Sequence, residues 1–146
     1  MLETWISKLD KHQQQQLQTV VNDVRTPSDV GTLGKKFVYN IGMLKASELR
    51  LFWYAVAPAV LGSKFLSDPE RSMMLDFVEA IRLLDSPSVT ERQLDTAHHL
   101  LGAFVGKFAD IFGPERVTPN MHAHAHIAET CLPSHDRTRN AFILRK

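Results

Sequence analysis

The sequence predicts an all-α fold, four to five amphipathic helices in an irregular bundle or array followed by a loose carboxy-terminal tail. Three observations carry this expectation. Apolar residues recur three and four apart along most of the chain. Helix start signals (Ser, Thr or Asp followed by Pro or an acid) and stop signals (Gly, Pro) fall at the ends of those stretches. The links between them are short, as neighbouring helices in one array require. With 146 residues, 44% of them apolar and 23% charged, the chain is sized for one domain with a substantial core.

Leu2, Trp5, Ile6 and Leu9 form one apolar stripe and Leu17, Val20, Val21 and Val24 another, so residues 2–24 predict one helix or two. Between the stripes, Gln13-Gln14-Gln15-Gln16 reads as a solvated helix face, too short for prion-like behaviour. Pro27 and Ser28 end the pattern. Gly31, Gly34 and Gly42 mark loops around an apolar insert, Phe37 to Ile41, that fits either a short strand or a turn. The helical period returns from about Ala46 through Leu49, Phe52, Trp53 and Val56. This segment is apolar nearly all round, which predicts a central place in the core, and Pro58 should kink or end it near Ala57.

Ser67-Asp68-Pro69-Glu70 predicts the next helix start, with Met73, Phe77, Ala80, Ile81 and Leu84 as its buried face. Asp85-Ser86-Pro87-Ser88 stops it. A new start lies at Ser88 or Thr90, with Glu91 placed to complete a capping box on Ser88. Leu94, Ala97, Leu101, Phe104, Phe108 and Ile111 then keep helical spacing until Gly113-Pro114. Residues 1–132 therefore predict a single helical domain, and 133–146 a polar tail with a small apolar cluster at Phe142, Ile143 and Leu144.

Composition narrows the function classes. A net charge of +1 gives no global field for nucleic acid or membrane. The single cysteine, Cys131, makes neither an internal disulfide nor a CxxC zinc half-site and fits a reducing compartment. No apolar run approaches the roughly 20 residues needed to span a bilayer. Glu3, Lys8 and Asp10 interrupt any signal-peptide core at the start. No glycine-rich phosphate loop follows a strand, and no Ser/His/Asp set can be argued from spacing. The carboxylates are scattered on polar helix faces, so no enzyme is expected.

The chemistry-bearing stretch is Thr118 to Glu129, which holds three of the seven histidines. Thr118 suits an N-cap and Pro119 the first helical position, where no N–H is needed. On that helix Met121, Ala125, Ala128 and Leu132 share the buried face. His122, His126 and Glu129 share its flank, and His124 points to the opposite flank. Two imidazoles at i, i+4 can reach one zinc ion, with Glu129 as third ligand or as the acceptor that fixes a tautomer. Ala123 stands where a zinc protease of the HExxH type needs its glutamate, which excludes that chemistry. The competing reading is three histidines flanking a core helix and bonded to neighbours or water. Of His98-His99, about 100° apart on a helix, at most one could converge on the same ion.

The run Phe108 to His126, and within it Thr118-Pro119-Asn120-Met121-His122-Ala123-His124-Ala125-His126, resembles the C-terminal region of transposase-like proteins from CACTA (En/Spm-type) DNA transposons. The likeness extends as a matching helical rhythm over residues 30–132. It implies descent from a cut-and-paste transposase, with an RNase H-like core, three metal-binding acids and an α-helical insertion before the last acid. In that insertion a cysteine pair and a histidine pair spaced like His122 and His126 are thought to hold zinc. The family then continues with Gly-Pro, a tryptophan and an aromatic-Glu-Arg-aromatic-Asn-Gly run, whereas this chain reads Leu132-Pro133-Ser134-His135 and has no tryptophan after Trp53. Neither the cysteine pair nor the β-rich core is present in it, and Glu129 lies too near the histidines to be the catalytic acid. The expectation is a transposon-derived helical fragment, catalytically inert alone, with zinc as its one candidate cofactor. Its partners would be DNA, other transposase segments or a second copy, and its place the cell interior, the nucleus if transposase-like. The alternative is a helical protein-interaction module with an apolar face around Phe142 to Leu144.

Overall fold

The computed structural model describes residues 1–26, 32–57, 65–127 and 130. It is all-α as expected, and the described residues contain no strand. The α-helices are α1 (Leu2–Ile6), α2 (Lys11–Asp23), α3 (Ala46–Leu51), α4 (Asp68–Leu84), α5 (Glu91–Phe112) and α6 (Pro119–His124). The backbone clusters into two compact units, Met1–Asp68 and Pro69–Lys146, where the sequence predicts one domain over 1–132 and a tail over 133–146. Among the described residues, no helix is long and apolar enough to cross a membrane. Pro58, Glu129, Cys131 and the tail at 133–146, with its Phe142–Leu144 cluster, lie outside the described residues.

In the first unit α1 buries Leu2, Trp5 and Ile6 and stops after five residues. Asp10 then caps α2: its carboxylate accepts from the Gln13 amide at 2.7 Å, and the Gln13 side chain accepts from the Asp10 amide at 3.0 Å. Gln14 donates from Nε2 to the carbonyls of Ile6 (3.3 Å) and Leu9 (3.1 Å), the first of which also accepts from the Leu9 amide at 3.0 Å. The glutamine tract is thus only partly a solvated face, since Gln13 caps α2 and Gln14 ties α2 back to α1. One turn on, Gln18 is buried in the core. Its Oε1 accepts from the Val38 amide at 2.8 Å and its Nε2 donates to Asn22 Oδ1 at 2.9 Å.

That bond anchors the apolar insert to α2. The insert is neither strand nor simple turn but two 3₁₀ turns, Phe37–Tyr39 and Ile41–Met43. Phe37 is buried and stacks on Phe52, centroids 4.9 Å apart. The segment expected to be central is so: Leu51, Phe52, Trp53, Val56 and Ala57 are all buried. It does not stay α-helical. Phe52–Val56 widens into a π turn, with the Ala57 amide donating to the Phe52 carbonyl. A wider turn narrows the arc over which 52, 53, 56 and 57 are spread, so four apolar residues reach the core together.

In the second unit α4 buries Met73, Met74, Phe77, Val78 and Ala80, while Ile81 and Leu84 are only half-buried. The α5 N-cap is Thr90, and its capping partner is Gln93 (Thr90 amide to Gln93 Oε1, 2.9 Å) rather than Glu91 on Ser88. Along α5 the buried face is Leu94, Ala97, Leu101, Phe104, Phe108 and Phe112, so Phe112 takes the place expected for Ile111. Phe77 meets Phe104 at 4.9 Å, and Phe108 meets Phe112 at 4.7 Å. Beside this seam Lys107 donates from Nζ to Asp76 Oδ2 at 2.6 Å and to Ser72 Oγ at 2.9 Å, a second tie between α4 and α5. Gly113 ends α5 at φ 99°, with its amide on the Ala109 carbonyl at 2.9 Å.

Two stability outcomes follow. Gln18→Ala leaves the buried Val38 amide without its acceptor and should cost about 1–3 kcal/mol, whereas exposed Gln15→Ala should stay within about 0.5 kcal/mol. Denaturant titration followed by circular dichroism separates the two. Gly113→Ala forces a side chain into an extended positive-φ conformation, at a cost of about 1–3 kcal/mol, and sets its Cβ against the Glu115 carboxylate. The same titration reads that loss as a lower midpoint.

Candidate metal-binding histidine turn

After Gly113, the 3₁₀ turn Pro114–Arg116 leads to Thr118. Thr118 Oγ1 accepts from the Met121 amide at 3.3 Å and Pro119 occupies the first turn, as the sequence predicts. The helix is short. After His124 the backbone tightens to i, i+3 bonding, with the Ala125 amide on the His122 carbonyl (3.1 Å) and the His126 amide on the Ala123 carbonyl (3.0 Å). Met121 is buried at 4% exposure, the core residue that seats α6.

The three histidines fall into two environments. His122 and His126 are exposed, and their ring centroids lie 5.1 Å apart at an interplanar angle of 70°. Zinc lies about 2.0–2.1 Å from an imidazole nitrogen, so two imidazoles on one tetrahedral ion keep their centroids about 5 Å apart. The observed centroid separation matches that distance. Among the described residues no set of three His, Cys, Asp or Glu is placed to hold a metal. The expected third member, Glu129, lies outside those residues.

His124 is the residue whose place spacing did not reveal. It is half-buried, with its ring 6.1 Å from that of Phe77, and its Nδ1 is buried with no hydrogen-bond partner. Burial holds its pKa below the ordinary 6.5, because desolvation penalises the imidazolium. The available signal was Met121, His124 and Ala125 at i, i+3, i+4, an apolar face with a histidine inside it. On α5 His99 faces Asp95 at 3.8 Å in full exposure, a surface pair of little energetic weight, while His98 is half-buried with its ring 5.8 Å from that of His99.

Two clefts in the first unit carry no acid–base set among their described lining residues. One, about 410 Å³, is lined by Ser47, Arg50, Leu51 and Tyr54, with the Arg50 guanidinium 5.7 Å from the centre of the Tyr54 ring. The other, about 440 Å³, lies by Val21, Asn22 and Lys35. Compared with protein families, with curated proteins and with solved structures, the chain matches none.

The buried imidazole sets a pH dependence. The unfolded chain takes up the His124 proton near 6.5, while the folded chain resists it, so the unfolded state binds more protons as pH falls. The stability this neutral ring allows is complete above pH 6.5 and is lost progressively below it. His124→Leu should flatten that part of the profile. Thermal midpoints measured on both sides of pH 6.5 for the two chains check it.

Proposed function

We propose that this chain is a transposon-derived helical fragment, catalytically inert by itself, whose retained activity is weak zinc binding through His122 and His126. The observation that carries the metal half is the 5.1 Å separation of two exposed imidazoles on a capped turn. The ancestry rests on the Thr118–His126 run, whose likeness to the insertion region of CACTA-type transposases brings DNA in as the ancestral partner. Zinc bound by two imidazoles supplies a rigid cross-link between positions 122 and 126 and Lewis acidity at whatever occupies its other sites. The chain's own part is to keep the two rings at ligand spacing: Thr118 caps the turn and Met121 seats it.

A second reading, a protein-interaction module, draws on a different observation. Tyr39 and Met43 are large side chains left 56% and 85% exposed on successive 3₁₀ turns of the first unit, which a partner surface could cover.

Calorimetric titration of the full chain with zinc should show uptake that weakens at least about tenfold in His126→Ala, since a lost ligand costs no less than a lost outer-shell partner. His12→Ala, an exposed histidine on α2, should leave uptake unchanged. Heat signals equal in all three proteins would remove the zinc reading.

A further inference from the structure

Resting on the zinc reading above, we propose that zinc joins two copies of this chain, each giving His122 and His126 to a single four-imidazole site. The inference starts from coordination number. Structural zinc is four-coordinate, and the described residues of one copy bring two ligands together. The rings of His122 and His126 stand 5.1 Å apart, close to the centroid separation of two imidazoles on one tetrahedral ion. Both residues are exposed, so an ion held between them would be open to donors from outside the chain. A second copy turned through a two-fold axis presents the same pair to that ion, which is the self-complementary contact that closed homodimers use.

The surroundings suit close approach. Ala123, adjoining the pair, is exposed and too small to hold a second backbone off. Ile127, next after His126, is a large apolar side chain left 36% exposed, and it would be covered at such an interface. The cap at Thr118 and the buried Met121 hold the backbone of the turn in each copy. Preorganisation lowers the entropic cost of association, so the metal–nitrogen bonds are not spent on ordering the site. The dimer depends on the ion: without it the contact is one short turn and a single isoleucine, far below the area of a stable interface.

The test follows mass and stoichiometry together. Zinc is titrated into the full chain by calorimetry while sedimentation reads the mass. The bridged site predicts a break at half an equivalent of zinc, a doubled mass at that point, reversal by a chelator, and return toward monomer in excess zinc as each pair takes its own ion. Cobalt(II) in place of zinc should give the intense visible bands of a tetrahedral nitrogen set. His122→Ala and His126→Ala should both abolish the doubling with unchanged far-ultraviolet dichroism, since both side chains are exposed. Glu129→Gln should leave it intact. One zinc per chain at constant mass, or loss of binding in Glu129→Gln, overturns the bridge and leaves the zinc reading standing. No uptake at all removes both.

Discussion

The second unit depends on one side chain, Phe77. From α4 it touches Phe104 of α5 and the ring of His124 just before the turn at Ala125, so a single phenyl group joins three helices. The pairing with Phe104 continues along α5 through Phe108 to Phe112, at 6.2 and 4.7 Å. Ring pairs of this kind add about 0.5–1.5 kcal/mol each beyond the area they bury. A helix of six residues cannot sustain itself in water, since nucleating a turn costs more than its few bonds return. What keeps α6 helical is therefore its seating, Met121 in the core and His124 against Phe77, together with the cap at Thr118.

That seating explains how one short segment holds histidines of two kinds. Residues 121, 124 and 125 face inward, and this leaves 122, 123 and 126 in solvent. The inward histidine stays neutral more readily, and its shielded Nδ1 lowers the stability a leucine there would give. The outward pair bears no such burden. Rotating the helix by one residue would bury His122 and expose Met121, so the direction of the exposed pair is set by the apolar contacts behind it.

Much of this architecture was legible in the sequence because the deciding bonds are local. Thr118-Pro119 and Gly113-Pro114 mark their helix ends through hydrogen bonds and torsions confined to a few residues. The spacing of Leu94, Ala97, Leu101, Phe104 and Phe108 reports the buried face of α5 directly. Where two starts lie close together, sequence could not choose: Ser88 and Thr90 are both candidates, with Glu91 placed as the partner of Ser88, and the box that formed is Thr90 with Gln93. The remainder was hidden because it is non-local. Gln18 is 20 residues from the Val38 amide it holds, and nothing in a glutamine-rich stretch distinguishes that one from its neighbours. Phe52, in the π turn Phe52–Val56, stacks on Phe37 15 positions earlier, and His124 lies against a ring 47 positions away, at Phe77.

The histidine pair and the transposase resemblance are independent in physical terms. Any capped turn with imidazoles at i, i+4 and an apolar seat at i−1 presents two nitrogen ligands to solvent at ligand spacing, whatever its ancestry. The family pattern adds a cysteine pair to complete the set, and the only cysteine of this chain is Cys131. Two imidazoles alone would hold an ion weakly, because zinc takes four ligands. The pair here is exposed, so further donors could reach such an ion from outside the chain. Completion by a second copy would then turn a weak site into a tight one without any change in the helices that carry it.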